Sequence, residues 1–223
     1  MDIRSVSRIM DQYINIFAPP PLGMTHFSGD IKYVQNLVKQ QHFVDNGHGE
    51  WNSISSNRWI LDIPEFIDIK NFINNSIQEY IEKVFRVDHK VDIMQSWSTI
   101  TNKDEEHPSH FHANSYLSGV FFVKSSLDSP PFVLHNNIKV PSISLDLFNG
   151  GNPNLPPNEF NNVIRPTYSI DPIEGRLVLF PSLTPHFVPK SNSNQERIVI
   201  AFNTFPKIPF GCEFETNHVI SRS

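Results

Sequence analysis

Three of the ten histidines stand together in His107-Pro108-Ser109-His110-Phe111-His112, just ahead of an apolar run at 116–124. His110 and His112 are two apart, so on an extended backbone both imidazoles would point to one face. Two nitrogens converging in that way form a chelating pair for a divalent transition metal, to which imidazole is well suited. A solvent-exposed, histidine-rich loop has the same sequence. About 73 residues further on, Phe180-Pro181-Ser182-Leu183-Thr184-Pro185-His186-Phe187-Val188-Pro189 sets His186 between two apolar runs. Prolines fix φ at three positions there, which would hold the turn and aim the imidazole; a histidine capping a tight turn is the plain alternative. Beyond ten intervening residues, Arg197 opens the run Arg197-Ile198-Val199-Ile200-Ala201-Phe202-Asn203. A cation at the head of a buried strand is costly unless it meets an anion. The planar guanidinium matches a carboxylate in two-pronged fashion. The alternative is a surface arginine paired with Glu196.

These residues need a frame. The chain has 223 residues and 25.6 kDa, 39% of it hydrophobic. That is one domain's worth, 1–223, with enough apolar material to fold without metal or disulfide staples. An aromatic content of 12%, with 18 phenylalanines, excludes a disordered chain. A net charge of −5 and no long Lys/Arg run argue against electrostatic binding of nucleic acid or of a membrane surface. The lone Cys212 excludes an internal disulfide and a cysteine-rich zinc module, and it fits a reducing compartment. Apolar stretches reach only strand length, and Arg8, Asp11 and Gln12 break up the N-terminal segment. With neither a bilayer span nor a signal-peptide core, a soluble cytoplasmic protein is expected.

The first 90 residues carry the helical signals. Ile69, Phe72, Ile73, Ile77, Tyr80, Ile81 and Val84 recur at helical spacing after Asp62-Ile63-Pro64-Glu65, predicting a helix to about Phe85. A shorter helix is predicted at 31–43 behind Gly29-Asp30, and a first strand at 13–17; 46–49 and 52–57 read as loop. From residue 91 the texture becomes short, aromatic and β-branched, with strands expected at 92–100, 116–124, 131–135, 167–171, 176–181, 185–189 and 197–204. So many short strands without helical patterns between them argue for a mainly β sandwich or jelly roll, with 1–90 as a buttress and 91–205 as the core. The aperiodic segment 136–166 is expected to be an insertion or lid.

Taken in order, His-x-His, a distal His and a downstream Arg resemble the iron(II)- and 2-oxoglutarate-dependent oxygenases. More narrowly, the chain is similar to a family of such oxygenases found in bacteria and phages. The resemblance rests on Trp97, His110-Phe111-His112, Leu117-Ser118-Gly119-Val120, Gly175-Arg176-Leu177, Phe180-Pro181-Ser182, His186-Phe187-Val188-Pro189, Arg197 and Phe202-Asn203, and it covers about 91–205. It implies a double-stranded β-helix (jelly roll) and a dioxygenase, most readily a hydroxylase. It implies Fe(II) on His110, His112 and His186, and 2-oxoglutarate held by Arg197 with Ser118 nearby. Many relatives in the wider superfamily place a carboxylate two residues after the first histidine; His112 stands there instead, giving a neutral triad. Phe121 and Phe122 occupy a place where the family often has tyrosine, and with Leu177, Leu179 and Phe202 they would supply an apolar lining. Two other readings share the histidines: a cupin-like three-histidine dioxygenase or isomerase that uses no 2-oxo acid, and a non-catalytic jelly-roll binding module.

Overall fold

Strand β11 (Arg197–Pro206) is the centre of the architecture, paired antiparallel along its length with β4 (Val91–Thr101) and β6 (Leu117–Lys124). The computed structural model describes residues 21–47, 49–135 and 167–209. The expected strand at 13–17, the expected lid at 136–166 and Cys212 lie outside the described residues. Two sheets form. The larger runs β1 (Gly23–His26), β9 (Arg176–Pro181), β6, β11, β4, β3 (Ser53–Ser55), β2 (Phe43–Asp45). The smaller runs β5 (His107–His110), β10 (His186–Val188), β7 (Phe132–His135), β8 (Thr167–Ile170). Both are antiparallel, and together they give the mainly β, double-stranded β-helix architecture expected from the sequence.

Strand alternation divides the apolar residues between two cores. Val120, Phe122, Val178, Phe180 and Val199 meet Phe132, Leu134, Ile170 and Val188 between the sheets. Phe121, Val123, Leu177, Leu179, Ile198, Ile200 and Phe202 face the other way, onto the helices. Of the five residues expected to line the oxidising site, Phe121, Leu177 and Leu179 are therefore helix-side core. Phe122 lies between the sheets, and Phe202 packs on the helix side while bordering the site from beneath. Gly119 is required by that packing: a Cβ there would sit 2.2 Å from Cζ of Phe202.

Helix α1 (Ile31–Lys39) starts where Asp30 Oδ1 accepts from the Tyr33 amide, and buries Val34, Leu37 and Val38. It ends earlier than the predicted 43, because Phe43 is taken into β2. Gln35 pins the helix to the sheet by donating to the Val123 carbonyl, 2.8 Å away. Helix α2 (Ile67–Tyr80) buries Ile69, Ile73, Ile77 and Tyr80, as the spacing predicts. Two 3₁₀ turns lead into it, the second holding Pro64, and a π turn at Ile81–Phe85 ends it. The buttress also adds β1, β2 and β3 to the larger sheet, extending it on both sides.

Candidate active site

Antiparallel pairing brings two distant histidines together. β10 lies beside β5 with His186 directly opposite His110. His112 is not on the strand: β5 ends at His110, and the His112 amide then donates to the Ser182 carbonyl at 2.9 Å. The His110 and His112 rings stand at 89° to each other with centroids 5.1 Å apart, so both reach the same place although only His110 lies on the strand. The His186 ring lies 4.3 Å from that of His110 and 5.2 Å from that of His112. One ring nitrogen from each of the three falls within 4.8 Å of the others, a grouping able to hold a metal ion.

The electrostatics suit a cation. Burial, reinforced by the neighbouring His110, lowers His112 to about 4 and His186 well below the usual histidine range. Both are neutral at pH 7. His110 and His186 each donate Nδ1–H to a backbone carbonyl, of Pro108 and Thr184 respectively, both at 2.9 Å. Those bonds fix the ring orientation and leave Nε2 free as a ligand atom. Phe180 and Phe132 back the His186 ring at 4.8 and 5.4 Å.

Arg197 borders the same cavity as the three histidines. It is 1% exposed, and its guanidinium lies 5.2 Å from the Phe122 ring centroid. Nε and Nη2 have no hydrogen-bond partner among the described residues; neither has Oγ1 of Thr101, directly across the ladder on β4. Burial lowers the guanidinium to about 10, which leaves it charged at neutral pH. The expected alternative, pairing with Glu196, does not occur: Glu196 binds Lys124 at 2.7 Å and Lys39 at 3.6 Å. A buried cation with two unpaired donors calls for an anion with two acceptors.

Ser118 borders this cavity too, with its hydroxyl bonded to Ser182 at 2.8 Å and Asn203 at 2.7 Å. Sequence reasoning gave no role to His107 and Asn52. His107 stacks on His110 at 4.4 Å, and its Nδ1 lies 3.4 Å from the Asn52 amide nitrogen. Burial, with His110 and Arg197 adding to it, brings His107 down to about 3. The third histidine of the 107–112 cluster was the available signal for His107, whereas nothing in the loop-like stretch 52–57 marks Asn52.

Residues 95–203 match the family model described as "Putative 2OG-Fe(II) oxygenase". Over that segment the chain is similar to the 2OG-Fe(II) oxygenases. The expectation of a dioxygenase using Fe(II) and 2-oxoglutarate accordingly stands, ahead of the cupin-like and non-catalytic readings. Solved oxygenase structures share the fold. One is a 2OG-Fe(II) oxygenase family oxidoreductase from Burkholderia pseudomallei, at 13% identity and TM-score 0.57, covering 89% of this chain and 88% of that one. Another is HygX from Streptomyces hygroscopicus with nickel, 2-oxoglutarate and hygromycin B bound, at 12% identity and TM-score 0.58, covering 88% and 87%. A third is a Pseudomonas putida prolyl-4-hydroxylase, at 11% identity and TM-score 0.54, covering 87% and 98%. No curated protein matches the chain significantly.

Proposed function

We propose that this oxygenase is a hydroxylase whose iron(II) is held by His110, His112 and His186 and whose 2-oxoglutarate is anchored by Arg197. The observation that carries the reading is the pairing, across one cavity, of a three-histidine cluster with a buried arginine whose Nε and Nη2 lack partners. The donor set fits both groups: neutral imidazoles suit a divalent transition metal, and a guanidinium fork suits the far carboxylate of a keto acid. Iron(II) with 2-oxoglutarate supplies the oxidation, consuming dioxygen, releasing succinate and carbon dioxide, and placing one oxygen atom on the substrate.

The chain's own residues do the rest. Pro108 and Thr184 carbonyls hold the two strand histidines in their ligand form. Arg197 fixes the depth and direction of the keto acid. Val120, Phe122 and Val199 keep water from its stem. The cavity measures about 40 Å³, room for a few water molecules.

Beside His112 lies an open groove of about 600 Å³ bordered by Trp59, Met94, Gln95, Asn114, Ser115 and Asn203. Its size is that of a small-molecule site, and none of these side chains is charged. We assign it to the substrate, an uncharged compound or segment with an apolar face for Trp59. That ring is 53% exposed and held in place by its indole N–H, which donates to the Met94 carbonyl. No helix among the described residues is long and apolar enough to cross a membrane; the low charge and lone cysteine fit work in the cytoplasm. Anaerobic titration of 2-oxoglutarate into the iron(II)-loaded protein and its Arg197→Ala variant tests the assignment. Saturable binding that weakens in the variant is expected; equal binding by both refutes it.

A further inference from the structure

His112 differs from the other two histidines in what faces its second nitrogen. His110 and His186 each have a carbonyl there, which only accepts, so their Nδ1 carries the proton. His112 has a carboxamide: its Nδ1 lies 3.3 Å from Nδ2 of Asn203. Asn203 is 8% exposed, and the β11–β4 register shifts between Asn203 and Thr204. The other end of the carboxamide, Oδ1, accepts from Ser118 Oγ at 2.7 Å, and Ser118 Oγ lies 2.8 Å from Ser182 Oγ. Ser118 and Ser182 are themselves buried, at 2% and 1% exposure.

In this orientation Asn203 Nδ2 donates to His112 Nδ1, so a neutral His112 carries its proton on Nε2 and has no lone pair there for an ion. With the carboxamide turned over, Oδ1 accepts from His112 Nδ1–H and Nε2 becomes a ligand atom. Nδ2 then donates to Ser118 Oγ, whose hydroxyl turns to donate to Ser182 Oγ. The hydroxyls permit this reversal because each both donates and accepts. We propose that Asn203 is a positioning residue that decides which nitrogen of His112 is free, so that metal uptake requires the reversed His112–Asn203–Ser118–Ser182 chain. The inference rests on the assignment of His112 as a metal ligand. It adds that a neutral amide orients this ligand, where the other two have backbone carbonyls.

Nitrogen-15 NMR of histidine-labelled protein, with and without zinc(II), reads the His112 tautomer directly. Nε2–H is expected in the metal-free protein and Nδ1–H once zinc is bound; Nδ1–H in both states overturns the proposal. Anaerobic cobalt(II) titration of Asn203→Asp and Asn203→Leu gives a second readout. Aspartate can only accept from His112 Nδ1–H, so Asn203→Asp should bind cobalt at least as tightly as the unaltered protein and show Nδ1–H without metal. Asn203→Leu, which offers no acceptor, should bind roughly 10–100-fold more weakly. Equal affinity in Asn203→Leu, or equal weakening in both variants, also overturns it. An unaltered protein that takes up no metal overturns the ligand assignment beneath, a result distinct from either of those.

Discussion

Glu196 and Arg197 are neighbours in sequence with opposite destinations. Glu196 turns to Lys124 and to Lys39 on the helix side of the larger sheet, and Arg197 turns between the sheets with Nε and Nη2 unpartnered among the described residues. The acid nearest in sequence is thus paired with lysines and does not neutralise the arginine. Replacing each separates these roles. Arg197→Ala should weaken 2-oxoglutarate by about 2–4 kcal/mol, the scale of a lost buried charge partner, and leave metal affinity unchanged. Glu196→Gln should leave 2-oxoglutarate affinity unchanged; calorimetric titration of both variants checks the pair.

The same glutamate has a pH signature. Lys124 holds its carboxyl below the usual carboxylate range, so the unfolded chain takes up the proton first as pH falls. The pair's stabilisation, about 1 kcal/mol or less for a partly exposed bridge, is complete above the unfolded value and lost as pH drops through the folded one. Urea unfolding of Glu196→Gln should therefore differ from that of the unaltered protein at pH 7 and converge with it as the pH falls through the folded value.

Metal binding should follow the geometry of the three rings. Elemental analysis of protein prepared without a histidine tag should give near one equivalent of iron(II), falling to background in the double variant His110→Ala, His186→Ala. Circular dichroism should remain β-rich in that variant, because both residues lie at strand ends. Retention of the metal by the double variant would place it elsewhere.

Much of the frame was legible because the β-core strands are aromatic, β-branched and separated by proline and asparagine; β4, β6, β7, β8, β9, β10 and β11 fall within about two residues of expectation. The strands that were not legible are short. β5 is His-Pro-Ser-His, with no apolar alternation, and β2 and β3 are three residues each at one side of the sheet. In the site, His110, His186 and Arg197 declare themselves by costly residue types beside apolar runs. Their supports do not: Asn203 and Ser182 are polar residues whose meaning depends on a cross-strand partner 91 or 64 positions away.

Close packing at Gly119 carries a stability prediction. The Phe202 ring occupies the space a Cβ would need, and both strands are central to the larger sheet. Gly119→Ala should cost about 1–3 kcal/mol, the usual penalty of overpacking, read as a lower urea midpoint at unchanged slope. The double variant Gly119→Ala, Phe202→Leu should recover part of the loss by clearing the ring.

The most direct test of the central claim is the visible absorption of iron(II)-loaded protein titrated with 2-oxoglutarate in the absence of oxygen. Two-point binding of the keto acid to iron held by His110, His112 and His186 predicts a weak charge-transfer band that saturates with 2-oxoglutarate. The band should need a higher concentration in Arg197→Ala and be absent in His186→Ala. No band and no bound 2-oxoglutarate at saturating concentration, in protein shown to hold one iron, would contradict the account.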